Sequence, residues 1–405
     1  MVPVVVAMKC ARISFRPFGL GPVFAVLVAL ASCGGSDGTS KLTPLERQIY
    51  LQPTPISTAL AFDRVAPGYD LNCMMTPSGE AWCWGNNEHG QLGAATAKSC
   101  TSGLVACSWR PVHAQEPLRF AAISPSRLHS CGLDATRQAW CWGFGLGGQL
   151  GNGRSTDSAT PVAVAGNHRF THIDAGRDAL LSCALDASGR AWCWGPGDSG
   201  GLGNGTTEGA SVPVQVLAEQ AFITIGAGSN HGCGLDATGQ AWCWGRNPYG
   251  ALGRGVSGAS LVPAPVTGGH RFASLAVGGN FNCGLTATGA AWCWGFGPAL
   301  GDGALAHSDV PVAVAGGHVF ASVSAGYQHA CGLTGEGVAW CWGPAMLTGS
   351  GTEVDSRVPV PVAGGARLRV LGAGGTSTCA ITLAGTPLCW GLNANGAVGQ
   401  NNLGP

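Results

Sequence analysis

The sequence predicts an all-β fold, a seven-bladed β-propeller closed by an N-terminal strand that completes the last blade. Three observations carry the prediction. The string AWCWG recurs at residues 81–85, 139–143, 191–195, 241–245, 291–295 and 339–343, with a variant, PLCWG, at 387–391. Each copy holds the second cysteine of a pair spaced ten residues apart, and the pairs follow one another at 58, 52, 50, 50, 48 and 48 residues. Between them lie β-rich runs of about four to six residues separated by glycine clusters, and no stretch of the repeats sustains a helical period.

The chain divides into residues 1–32, 33–52 and 53–405. Lys9, Arg12 and Arg16 precede the apolar run FGLGPVFAVLVALAS (18–32), which reads as a secretory signal peptide starting at Met1 or Met8. The run is short of the ~20 apolar residues that a membrane-spanning helix needs. Its end, Leu30-Ala31-Ser32-Cys33, resembles the lipobox of bacterial lipoproteins. That resemblance implies lipidation at Cys33 and a protein held at a membrane of the bacterial cell envelope, with the outer membrane or cell surface favoured. Residues 33–52 then read as a polar tether.

Within the repeat, a proline stands nine residues before a phenylalanine in six units, for example Pro213/Phe222 and Pro263/Phe272. In CGLDATGQAWC (233–243), a turn at ATG places Cys233 opposite Cys243 and Leu235 opposite Ala241. Opposed residues at such sites have close Cβ atoms, so a cross-strand disulfide is feasible. Alternation puts Trp242 and Trp244 on the other face, with Gly234 opposite Trp242, small against large. The expected pairs are Cys73/Cys83, Cys131/Cys141, Cys183/Cys193, Cys233/Cys243, Cys283/Cys293, Cys331/Cys341 and Cys379/Cys389, with Cys100/Cys107 as an extra pair. Each hairpin loop closed this way is worth about 2.5–3 kcal/mol in the chain-entropy model. Zinc sites use shorter Cys spacings, so no metal is expected.

Sheets with Trp on one face and Cys and Leu on the other bury both by stacking radially. The chain has no PxxV strand after its last CWG but carries an orphan, QPTPIST, at 52–58. That segment can complete the last blade and remove the open edge.

The motifs W-G-x-x-x-x-G-Q-L-G, present as WGNNEHGQLG (84–93) and WGFGLGGQLG (142–151), and AGSNHGC (227–233) resemble the propeller repeats of the regulator-of-chromosome-condensation family. The resemblance spans roughly residues 53–405. It implies a propeller that binds proteins through one face. Blades five and six depart from it (WGFGPALGDG, WGPAMLTGSG).

Lys plus Arg and Asp plus Glu each number 21, without basic runs, which argues against nucleic acid as a partner. GDSGG (197–201) matches the string around the nucleophile of trypsin-like proteases. Ser199, however, fills the slot held by His89, Gly147, Tyr249 and Asn395 in other units, so it reads as loop. The repeated Asp134, Asp186 and Asp236 sit where turns favour Asp. No catalytic residue and no cofactor is expected. The loops between first and second strands, and those after AWCWG, emerge on one side and vary among the copies. They supply the candidate partner-binding residues Tyr69, His89, Trp109, Arg110, Arg127, Arg177, Asp178, Tyr249, Phe281 and Tyr327, types that anchor interfaces. Blade one adds eight residues between Trp84 and Pro111, holding Cys100 to Cys107. The expected function is a non-enzymatic scaffold binding an extracytoplasmic protein, with a carbohydrate-binding or carbohydrate-active propeller as the alternative.

Overall fold

The structure is a computed structural model, and it describes residues 49–94, 106–115, 117–178 and 180–399. The expectations for the signal peptide, Cys33, most of the tether and Cys100 fall outside these residues. The described chain forms seven four-stranded antiparallel sheets. Blade four is typical: inner strand Phe222–Ala227, then His231–Asp236, Ala241–Gly245 and outer strand Ser260–Pro265.

Its central hairpin has the register expected from the sequence, Cys233 opposite Cys243 and Leu235 opposite Ala241. Gly239 makes the turn possible. Its φ of +82° lies where only glycine is unstrained, and its N–H donates to the Asp236 carbonyl at 3.0 Å.

All seven hairpins carry the expected disulfide. In blades one to three the bonds are Cys73–Cys83, Cys131–Cys141 and Cys183–Cys193, and in blade four Cys233–Cys243. Blades five to seven hold Cys283–Cys293, Cys331–Cys341 and Cys379–Cys389. The Cα atoms of each pair stand 4.0–4.2 Å apart, as directly opposed strand residues do. Cys107 is also disulfide-bonded.

One expectation needs correction. Gly234 does lie opposite Trp242, but its smallness serves another residue: a side chain there would strike the Phe222 ring at 2.6 Å. Gly132, Gly284 and Gly332 give the same room to Phe120, Phe272 and Phe320. The constraint comes from the neighbouring inner strand, not from the hairpin partner.

The core is divided among the blade interfaces. The Cys and Leu face of one blade packs on the Phe and Trp face of the next, as Cys233, Leu235 and Cys243 pack on Phe272 and Trp294. The second Trp of each copy is fully buried. Its indole N–H donates to a backbone carbonyl of the preceding blade's loop: Trp244 to Gly201 at 3.1 Å, Trp294 to Ala251 at 3.0 Å, Trp84 to Ala397 at 2.9 Å. The last of these joins blade one to blade seven, so the same bond also closes the ring.

The seventh sheet takes its outer strand from Ile49–Pro55, which pairs with Pro387–Leu392. That strand takes in residues 49–52, the end of the segment expected as tether. Every outer strand holds a proline, including Pro53, Pro161, Pro213 and Pro359. Proline lacks the N–H that an incoming strand would need.

Candidate functional site

The inner strands surround a central cavity of about 290 Å³. Its exposed lining is mostly polar, with Ser124, Ser324, His172, Asp174 and Arg177 among the polar groups and Val65, Ile123, Ile173, Ile225 and Leu371 among the apolar ones. Above it stand the loops that join first to second strands. These loops share a side with those following AWCWG, since Gln91 Nε2 donates to the Arg127 carbonyl at 3.2 Å.

Four of the ten predicted residues converge at this mouth although they are scattered along the chain. The Tyr69 and Tyr327 rings meet edge to face with centroids 5.1 Å apart. The Arg127 guanidinium lies 5.0 Å from the Tyr69 centroid, within cation–π range. Its Nη1 donates to Asp178 Oδ1 at 3.3 Å. A chain of contacts therefore crosses the mouth from blade six through blades one and two to blade three. Glycines leave space for it: side chains at Gly375 and Gly279 would collide with Tyr69 and Tyr327. Burial, with help from the Asp178 charge, pushes the Tyr69 hydroxyl up to about 12. Burial also raises Asp178, against the pull of Arg127. For Arg127 burial disfavours the charge, yet Asp178, helped by Tyr69 and Asp70, more than restores it.

Arg177, the fifth, turns inward and lines the cavity. Its Nη1 donates to the Pro67 carbonyl at 2.7 Å, a bond from blade three to blade one. Burial lowers its pKa, and the Asp174 charge opposes that. Asp174 is committed elsewhere. Its Oδ1 accepts from Ser124 Oγ at 3.0 Å and from Gly176 N at 2.9 Å, and its Oδ2 accepts from Ala227 N at 3.3 Å.

The other predicted residues have different partners. His89 packs on Phe144 at 4.9 Å, with Nδ1 3.1 Å from Asp157 Oδ2. Tyr249, 47% exposed, packs on Phe296 and His307. Trp109 is half-buried in the outer strand Cys107–His113, with the Arg110 guanidinium 4.2 Å from its ring centroid. Phe281 is a correction: it is 0% exposed, packed between blades five and six, and unavailable to a partner. It stands two residues before the hairpin's first cysteine, where blades two, four and six carry His129, His231 and His329.

Those histidines were not singled out in the sequence. Each is fully buried and bonded to the next blade: His129 Nε2 to Ser182 Oγ at 2.8 Å, His231 Nε2 to Asn282 Oδ1 at 3.1 Å, His329 Nε2 to Thr378 Oγ1 at 2.7 Å. Ser182 and Thr378 donate their own protons to the Gln149 and Leu347 carbonyls, so the imidazoles donate from Nε2. Burial holds the three at about 3, about 4 and about 3, neutral at pH 7. Asp70, beside Tyr69, was also missed. It accepts from Asn86 and Asn395 at 2.8 and 3.3 Å, and burial raises its pKa against those bonds.

Ser199 has a φ of +56°, matched by Tyr249 and Asn395 at the equivalent slot, so the three are one loop geometry. The repeated aspartates cap their hairpins. Asp236 Oδ1 accepts from the backbone of Thr238 and Gln240, and Oδ2 accepts from Trp242 Nε1 at 2.9 Å. Among the described residues no cluster of His, Cys, Asp or Glu could hold a metal ion, and no helix is long and apolar enough to cross a membrane.

The hairpin cysteines take no part in the mouth. Cys83, Cys141, Cys193, Cys243, Cys293, Cys341 and Cys389, like their partners, are fully buried and belong to the packing between blades. Their role is structural, not contact with a partner. Seven such disulfides point to an oxidising compartment.

The chain is 28% identical to the E3 ubiquitin-protein ligase HERC2 of Mus musculus over 173 residues, which are 40% of this chain and 3% of that protein. It is 29% identical to the ultraviolet-B receptor UVR8 of Arabidopsis thaliana over 129 residues, 31% of this chain and 28% of the receptor. It thus spans only a small part of these curated relatives. Human WBSCR16 shares the fold with a TM-score of 0.72 and 21% identity, over 85% of this chain and 89% of that one. Prp20p of Saccharomyces cerevisiae, which binds Gsp1p and histones, gives 0.65 and 18% over 85% and 93%. Regulator of chromosome condensation (RCC1) repeats match at residues 78–133, 138–182, 188–235 and 238–285, and again at 64–91, 222–251 and 320–343. Together these segments cover more than half of the 405 residues, and the chain belongs to the RCC1 repeat family.

Proposed function

We propose that this protein is an exported, non-enzymatic scaffold, lipid-anchored through Cys33, that holds a protein partner on the mouth face of its propeller. The observation that carries the reading is the meeting of Tyr69, Arg127, Asp178 and Tyr327 from four blades. Aromatic and arginine side chains held in place by one another lose little freedom when a partner docks. Relatives of the same fold that bind proteins, Prp20p with Gsp1p and histones among them, are consistent with it. A glycan platform has less support, because the half-buried first Trp of several copies is already occupied. Trp192, Trp292 and Trp340 are covered by His168, His270 and His318 at 4.0–4.2 Å.

The test immobilises the mature protein, captures envelope proteins and identifies them by mass spectrometry, beside a glycan array. A specific protein retained by the wild type and lost at least tenfold by Tyr69→Ala/Tyr327→Ala supports the reading. Glycan binding unaffected by that double substitution refutes it. Mass spectrometry of the mature N-terminus tests the anchor: an unmodified Cys33 removes it.

A further inference from the structure

We infer that the central cavity is a carboxylate-binding site, with Arg177 as the residue that receives the anion. The inference rests on the protein-binding reading only for the source of the carboxylate, an acidic side chain or C-terminus of the partner.

The argument begins with charge balance. A guanidinium has five N–H donors, and Arg177 spends one hydrogen bond, on the Pro67 carbonyl. Among the described residues no carboxylate stands within 4.0 Å of it, and the Arg–carboxylate pairs that do form lie at the surface or the mouth. Asp174 is the one acidic residue lining the cavity. Its oxygens are held by Ser124 Oγ, Gly176 N and Ala227 N, so it stands near Arg177 without pairing with it. Arg177 is half-buried and has no ion pair among the described residues, so its charge is available to an anion that enters the cavity. Arg177 lines a cavity of about 290 Å³, close to the ~300 Å³ lower bound of small-molecule sites and suited to one side chain.

The chemistry selects the ligand. A planar guanidinium fork matches a carboxylate with two parallel hydrogen bonds. The cavity lining is mostly polar, as a charged ligand requires, and Ile123, Ile173 and Ile225 supply the apolar contacts for a short methylene stem behind the carboxylate. Arg127 and the two tyrosines at the mouth provide a cationic and aromatic approach.

Glutarate is the probe, with glutaramide as its neutral counterpart and inorganic phosphate as a competing oxyanion, read by calorimetry and thermal shift on the full protein. Glutarate is expected to bind saturably and raise the Tm, glutaramide to do neither, and Arg177→Gln to weaken glutarate at least tenfold. Arg177→Lys keeps the charge without the fork and is expected to weaken it less. Equal effects of glutarate and glutaramide on the wild type overturn the inference, whether or not the variants fold. So does stronger binding of phosphate than of glutarate, or undiminished glutarate binding by Arg177→Gln. The measurement needs no partner, so its failure leaves the scaffold reading standing. Failure of the capture experiment leaves the carboxylate site standing.

Discussion

The two faces of the ring follow opposite rules. On the face of the hairpin turns, one solution is repeated with small substitutions. Asp134, Asp186 and Asp236 cap three turns, and Thr76, Thr286, Thr334 and Thr382 cap the others by accepting from the backbone N–H four residues on. On the mouth face the residue four places before the first hairpin cysteine is Tyr69 in blade one, Arg127 in blade two, Ser229 in blade four, Gly279 in blade five, Tyr327 in blade six and Gly375 in blade seven. The turn must serve the hairpin wherever it stands, so every blade needs the same hydrogen bonds. The mouth loops contribute little to the sheets, so their side chains are free to face one another across the ring.

Acid should break the interior beneath the mouth first and with the largest effect. His129, His231 and His329 are held neutral by burial, far below the ordinary 6.5 that they regain on unfolding. The unfolded chain therefore binds more protons as pH falls below 6.5, and stability present above that value drains away toward pH 4. The expected loss is about 2 kcal/mol per histidine by pH 5. Asp70 and Asp178, raised by burial, act in the opposite sense. Urea unfolding at pH 7.5 and pH 5 measures the difference, and His231→Asn should flatten the slope. An unchanged midpoint would refute the assignment.

Next in size is the blade interface. Trp244→Ala removes a fully buried indole and its bond to Gly201, at an expected cost of about 3–5 kcal/mol. Trp242→Ala, half-buried, should cost clearly less in the same denaturation experiment. Replacing Cys233 and Cys243 together by alanine should cost about 2–4 kcal/mol. A smaller effect sharpens the contrast between faces. Trp82 Nε1 is buried without an acceptor in blade one, where Thr76 stands in the aspartate slot. Thr76→Asp should supply one and raise stability by about 1 kcal/mol. Smallest of all, Tyr69→Ala/Tyr327→Ala should shift the unfolding midpoint little while removing partner retention. A large loss of stability would make the mouth a structural element.

The repeat, the hairpin register and the cysteine pairing were legible because each is local: a fixed spacing and a two-residue alternation determine them. The role of Gly234 was misread because its crowding partner, Phe222, reaches it from another strand. The burial of Phe281 and the histidine pairs were missed for a related reason. They depend on how one blade meets the next, and alternation along a strand says which face a residue takes but not what lies beyond it. At the mouth, comparison of the seven copies picked out Tyr69, Arg127, Asp178 and Tyr327 as variable. Their meeting, and the inward turn of Arg177, required the ring.

The strand Ile49–Pro55 has a consequence for how the molecule is assembled. It is synthesised before blades one to six, yet its partner, Pro387–Leu392, is synthesised after them. Six sheets can pair within themselves as they emerge, whereas the seventh must wait until both extremities exist. The slowest step of folding is therefore expected at this seam, because its contacts span most of the chain. A circular permutant that joins the early strand directly to its late partner should fold faster than the natural order.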